Sequence, residues 1–196
     1  MSNNARISNP NTSRILNRQQ LAAFVKDQQA LRAFESLFNI QGLLPGMVVY
    51  GAFSSLTSGI LANGAAVSRT GYQDLFNAIV PNANVSITIA SPGVVTWLVN
   101  GVASAHGLAN SCPVYFTTNG VLPTGITAGT EYYTKNVGTN TFQISATPGG
   151  AAINTSGTQS GTHTATAYPY GIGDGSTTFN VPNIPAVGGC NAFIIY

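Results

Sequence analysis

The chain has 196 residues, a net charge of +2 and only 6% charged residues, against about a quarter in an average soluble domain. That balance argues against a partner of one strong charge, nucleic acid or an acidic membrane surface, and the length bounds the chain to one or two small domains. With 22 glycines and many Thr, Asn and Ser residues, the composition suits extended β structure and surfaces covered within an assembly.

The charges are unevenly placed. Residues 1–40 hold Arg6, Arg14, Arg18, Lys26 and Arg32 against Asp27 and Glu35, a net +3. Residues 41–196 hold Arg69 and Lys135 against Asp74, Glu131 and Asp174, a net −1. Residues 1–16 are polar and interrupted by Pro10, a composition of unstructured chain. Asn17 then reads as a helix cap, with Gln20 placed to reach back. Leu21, Phe24 and Val25 form an apolar stripe, and Leu31, Phe34, Leu37 and Phe38 continue it at spacings of three and four. The pattern fits one helix or two, ending at Gly42 and Pro45. Such a face either packs on the chain's own β structure or docks into a larger body. The run Asn17-Arg-Gln-Gln-Leu-x-x-Phe and Arg32-Ala-Phe-Glu-x-Leu-Phe resembles segments at the N-termini of structural proteins of short-tailed phages. That resemblance implies an anchor formed by Leu21, Phe24, Val25, Leu31, Phe34, Leu37 and Phe38.

Met47–Tyr50 reads as a strand, and Asn63-Gly64 as a turn. Thr70 and Gln73 suggest a second capping box, and Tyr72, Leu75, Phe76 and Ile79 lie on one face of a short helix closed by Pro81. Residues 84–167 carry strand candidates at 85–90, 94–99, 113–118, 131–137, 141–145 and 161–167. Pro92-Gly93, Asn119-Gly120, Pro123-Thr-Gly125 and Pro148-Gly-Gly150 separate them, which predicts a small β sandwich or barrel. The order Pro113-Val-Tyr-Phe-Thr-Thr, Gly129-Thr-Glu-Tyr-Tyr, Thr141-Phe-Gln-Ile-Ser, Pro148-Gly-Gly resembles a module reused in phage tail and fibre proteins. Trp97, Tyr115, Phe116, Tyr132 and Tyr133 are candidates for stacking on sugars, although alternation places at least half of them in a core.

The stretch Tyr170-Gly-Ile-Gly-Asp-Gly-Ser-Thr-Thr-Phe-Asn-Val-Pro182 needs left-handed turns at its glycines and a carboxylate, Asp174, that gathers backbone N–H groups. Beyond it Thr177, Phe179 and Val181 alternate onto one face. This stretch, with Asn63-Gly64 and the Tyr72-x-x-Leu-Phe76 helix, resembles the signature of the phage tail-collar domain over residues 44–80 and 168–183. The resemblance implies that Tyr72, Leu75, Phe76, Gly173, Asp174, Gly175, Thr178 and Phe179 play structural parts. The departure from the family is the separation of nearly ninety residues between helix and loop, in place of a few. The expected architecture is therefore mainly β: anchor helices in 1–41, a discontinuous tail-collar-like domain in 42–83 and 168–196, and an inserted β domain in 84–167. The apolar C-terminal run, Ala192–Tyr196, is expected to pair within the collar or with neighbouring subunits.

Chemistry is sparse. A glycosidase pair of Asp174 with Glu131 or Asp74 has a structural alternative for every member. Gly171-x-Gly-x-Gly175 lacks the lysine and following helix of a phosphate loop. Cys112 and Cys190 read as two reduced thiols, and His163 as a hydrogen-bonded histidine although family members bind metal on a three-fold axis. The expectation is a virion structural protein, not an enzyme: a short tail fibre or a tail- or neck-attached component, assembled in the host bacterial cytoplasm. No catalytic residue, cofactor or metal is expected. The expected partners are other virion proteins, two further copies in a homotrimer, and a host surface receptor, without nucleic acid or membrane insertion.

Overall fold

The computed structural model describes residues 43–196. The anchor residues Leu21, Phe24, Val25, Leu31, Phe34, Leu37 and Phe38, with the helices expected around them, lie outside the described residues. Within them the fold is mainly β, with one short helix and a six-stranded barrel.

The barrel is built from β4 (Asn82–Ile87), β5 (Val95–Val99), β7 (Pro113–Thr118), β8 (Glu131–Lys135), β9 (Thr141–Ser145) and β10 (His163–Ala167). Its strands follow the order β4-β10-β7-β8-β9-β5, and antiparallel β4–β5 pairing closes the ring. Closure removes the exposed edges that a sandwich would keep, which settles the barrel alternative. Each strand alternates as a barrel wall requires. Val85 and Ile87, Val95 and Trp97, Val114 and Phe116, Tyr132, and Phe142 and Ile144 fill the interior. Most Thr, Asn and Ser side chains of the wall are less buried, but Thr134 and Ser145 are buried. A two-residue strand β6 (Val102–Ala103) folds back on β5. The turn between them is Asn100-Gly101, with φ of 51° and 79°, the left-handed pair that a tight hairpin needs.

The remaining strands form a second body. β1 (Val48–Gly51), β12 (Asn191–Ile195) and β2 (Gly59–Leu61) make an antiparallel sheet with β12 in the centre. The apolar C-terminal run therefore pairs inside the chain, with Val48 opposite Ile194 and Ile60 on its other side. β3 (Ala66–Ser68) pairs with β11 (Thr178–Asn180). Helix α1 (Gln73–Ile79) lies between the two halves in sequence and packs Leu75 into a cluster with Ala62, Val80, Tyr168, Phe179, Val181, Ala192 and Ile194. The two clusters divide at Ala83 and at Ala167/Tyr168, and Tyr115 is the barrel side chain that reaches the second. Residues 44–196 nevertheless hold together as one unit.

Several local expectations need correction. The strand expected at 85–90 runs from Asn82 to Ile87, because β10 pairs with it from Asn82 onward. Past Ile87 the chain bends, and the Ala90 N–H donates to Thr155 Oγ1. The Thr70–Gln73 capping box does not form. Arg69 N–H is held by the Thr177 carbonyl, and Ser68 Oγ instead accepts from Gly71 N–H at 3.1 Å. Gln73 bonds Asn77 along the helix. Thr177 does not share the inward face of Phe179 and Val181; it is exposed, drawn into the Asp174 loop.

Candidate functional site

The stretch with the most sequence information is the loop at 171–178, together with what it meets. Gly173 has φ of 64°, and a side chain there would lie 2.3 Å from Thr178 Oγ1. The position accepts glycine alone. The next residue, Asp174, places Oδ1 within 2.8–2.9 Å of the backbone N–H groups of Ser176, Thr177 and Thr178. Its other oxygen accepts from the Thr177 hydroxyl. Thr178 Oγ1 in turn accepts from Asp174 N–H at 2.8 Å. These donors stabilise the carboxylate and hold its pKa well below the usual value of 3.8, the Thr177 hydroxyl first. Asn180 completes the fastening: Oδ1 accepts from Gly173 N–H, and Nδ2 donates to the Gly64 carbonyl at 2.7 Å. The loop is thus tied to the Asn63-Gly64 turn more than a hundred residues earlier. Asn63 itself holds the turn by accepting from Ala65 N–H.

The loop delivers Phe179 into the core, fully buried, with its ring 5.2 Å from Phe76 at 73°. Tyr72 meets Tyr196 edge-on at 4.7 Å, and Leu75 has no exposed surface. Arg69 inserts its guanidinium 5.3 Å from the rings of both Phe76 and Tyr168, and Nε donates to the Thr178 carbonyl. Its Nη2 is buried with no partner among the described residues. Arg69 was not singled out from sequence. The one signal was that it is the lone arginine after residue 40, set beside a helix start. Tyr72, Leu75, Phe76, Thr178 and Phe179 therefore come together, while Gly173, Asp174 and Gly175 shape the loop above them.

Glu131 and the two histidines, weighed for catalysis, carry structural bonds. Glu131 accepts from the Tyr115 hydroxyl at 3.3 Å. Burial first, and then Glu131, pushes the Tyr115 hydroxyl up to about 12. A hydrogen bond to Glu131 also raises Tyr133. His163 is buried on the inner face of β10, its Nδ1 2.8 Å from Thr118 Oγ1 and its Nε2 3.1 Å from Gln159 Oε1. Gln159 Nε2 donates to the Ile87 carbonyl, which fixes Oε1 as acceptor and so puts the imidazole proton on Nε2. Burial lowers the His163 pKa below 6.5. His106 Nδ1 accepts from Leu108 N–H, leaving Nε2 as donor toward the Thr141 carbonyl. Both cysteines are free, and burial pushes the Cys112 thiol up to about 11. Among the described residues no three metal-ligating side chains cluster. No helix there is long and apolar enough to cross a membrane.

Of the five aromatics considered for sugar stacking, Trp97, Phe116 and Tyr132 lie inside the barrel. Two open depressions stand out among the described residues. One of about 540 Å³ lies where Leu44, Met47, Ile79 and Pro81 meet Leu108 and Tyr170. The other, about 340 Å³, lies on the barrel wall among Thr117, Thr118, Asn119, Thr162 and Thr164. No protein-family model, curated protein or solved structure matches this chain.

Proposed function

We propose that this chain is a structural protein of a tailed-phage particle, a short tail fibre or a component attached to tail or neck. In this reading residues 42–83 and 168–196 are a tail-collar-like body, residues 84–167 an inserted barrel, and residues 1–41 the anchor to the particle. The observation that supports it is the meeting of the two halves of the signature. Asn180 bonds Gly64, and Phe179 packs on Phe76, although the barrel separates these residues in the chain.

The chain acts here as a scaffold and not as an enzyme: Asp174 holds its loop, and Glu131, His106 and His163 bond neighbouring groups in the barrel. Its partners are virion proteins and further copies of itself in a homotrimer. Association of such small, weakly charged bodies gains about 25 cal/mol for each Å² of apolar surface covered. Immunogold labelling with antibody to the chain, on particles from the phage or lysogen that encodes it, tests the reading. Label on tails or necks supports it; label confined to soluble protein defeats it.

A second reading, compatible with the first, makes the barrel a recognition module for a host glycan or surface protein. It draws support from the uncharged hydroxyl- and amide-lined groove on β7 and β10. A glycan array probed with the full chain, and with a Thr117→Ala, Thr162→Ala variant, tests it. Absence of any ligand weakened by those changes refutes the glycan form.

A further inference from the structure

We propose that Glu131, with Tyr133 beside it, is the point at which the barrel receives the protonated amine of an amino sugar; the inference rests on the glycan-recognition reading above and names its ligand class. Glu131 and Lys135 are the only charged residues between 84 and 167. Both lie on the outer face of β8, four residues apart, about 13 Å along an extended strand. Lys135 is engaged: its Nζ donates to the carbonyls of Gly149 and Gly150 and holds that turn. Arg69, the other cation among residues 43–196, gives Nε to the Thr178 carbonyl and lies against Phe76 and Tyr168. Glu131 is left as a carboxylate that neither of them pairs.

The fold does not require that charge. The partner of Glu131 is the Tyr115 hydroxyl, which donates to Oε2 at 3.3 Å. A neutral amide oxygen would accept the same bond. A charge kept on an otherwise uncharged wall, with no cation bonded to it, is open to one from outside. Tyr133 stands two positions along the same face, half-buried, and its hydroxyl is near enough to Glu131 for its pKa to rise. A tyrosine ring beside a carboxylate is the chemistry that holds an ammonium group.

The surroundings point to a sugar as the carrier of that amine. Tyr115 lies opposite Glu131, and Thr117, two residues further along β7, lies opposite Thr164. The groove of Thr117, Thr118, Asn119, Thr162 and Thr164 therefore begins about 7 Å along β7 and one strand across from the carboxylate. Its lining offers uncharged hydroxyls and an amide, donors and acceptors for the hydroxyls of a sugar. A carboxylate beside such a groove repels uronic and sialic acids and favours a glycan whose units carry free amines.

The experiment titrates the full chain calorimetrically with a glucosamine tetrasaccharide, at a pH where its amines are charged, and with the N-acetylated form of the same tetrasaccharide. The two share rings and linkages and differ at the amine. The wild type is expected to bind the free-amine form about fivefold more tightly, the size of one exposed ion pair helped by an aromatic face. Glu131→Gln should keep the melting temperature and the binding of the N-acetylated form while losing the preference, and Tyr133→Ala should narrow it. Equal binding of the two sugars by the wild type, or a preference that Glu131→Gln retains, would overturn the inference and leave the glycan reading standing. Binding of neither would overturn it as well, and the glycan array then decides the wider reading. Unfolding of Glu131→Gln would show that the fold needs the charge after all, which also defeats the inference.

Discussion

Phe179 tests whether the loop and α1 share one core, and the cost of truncating it follows from its surroundings. Its side chain has no exposed surface, it pairs in register with Val67, and its ring meets Phe76 edge-on at 5.2 Å. A buried aromatic removes about 150–250 Å² from water, worth about 4–6 kcal/mol at the usual coefficient. Measured Phe→Ala changes in cores cost about 3–5 kcal/mol. Phe179→Ala should therefore lose about 4 kcal/mol, a fall in melting temperature of roughly 10 °C for a unit of this size. The position of the single tryptophan sharpens the assay. Trp97 is buried in the barrel cluster, away from Phe179. Urea unfolding followed by far-ultraviolet circular dichroism reports both bodies, while Trp97 fluorescence reports the barrel. The dichroism curve should split, its part from the body around Phe179 moving by the full amount, and the fluorescence midpoint should move by less than half as much. A loss under about 1 kcal/mol would refute the shared core. Equal movement of both probes would refute the energetic separation of the two clusters.

Four further outcomes are expected. The depressed pKa of His163 means that the unfolded chain binds its proton first, so stability is complete above pH 6.5 and declines as pH falls through that value toward the folded pKa. The urea midpoint should drop between pH 7.5 and 5, and His163→Gln should flatten that slope; an unchanged slope would count against it. Asp174 carries the acidic counterpart, with stability present above 3.8 and lost as pH falls below it. Asp174→Ala should lower stability at neutral pH and remove this acid-linked component, and finding a hydrolase activity abolished by the change would contradict its structural role. In the native protein a thiol reagent at pH 8 should titrate Cys190 and spare buried Cys112, with both reacting in denaturant; two fast thiols in the native state would contradict the burial. Phe34→Asp should leave the β spectrum intact yet abolish incorporation into particles, whereas loss of β structure would argue that the N-terminal stripe serves the fold.

The strands were most legible where alternation was strongest. Pro113–Thr118 and Thr141–Ser145 stand where the sequence places them, since buried and less buried residues alternate along both as far as Ile144. Boundaries failed where a distant partner decided them. Asn82 and Ala83 look like loop residues, and only β10, eighty residues later, makes them a strand. The Asn100-Gly101 hairpin was a readable turn signal that went unused, and β6 was missed with it. Barrel closure had no local signature, because it needs the β4–β10 and β5–β9 pairings, whose strands lie far apart in the chain. In the candidate site the loop was legible because its glycines and Asp174 act on their own neighbours. Arg69 was not, because its partners Phe76, Tyr168 and Thr178 are assembled by the fold.

The join between the two bodies explains how a long segment can sit between helix and loop without separating them. The chain leaves α1 through Val80 and Pro81 into β4, and returns from β10 into Tyr168. Because Asn82 lies opposite Thr166, the segment begins and ends at adjacent points of one ladder. Ala167 N–H donates to the Pro81 carbonyl at 2.9 Å, which brings the exit and return together. An insertion whose ends are neighbours imposes little distortion on its host. Tyr168 then makes the joint stiff. Its N–H is bonded to the Pro113 carbonyl, and its ring meets Tyr115 of the barrel at 5.8 Å and Phe76 of the helix at 6.4 Å, with the Arg69 guanidinium alongside. The barrel is thus held to the body by packing on both sides of the crossing point, rather than tethered by two loose strands.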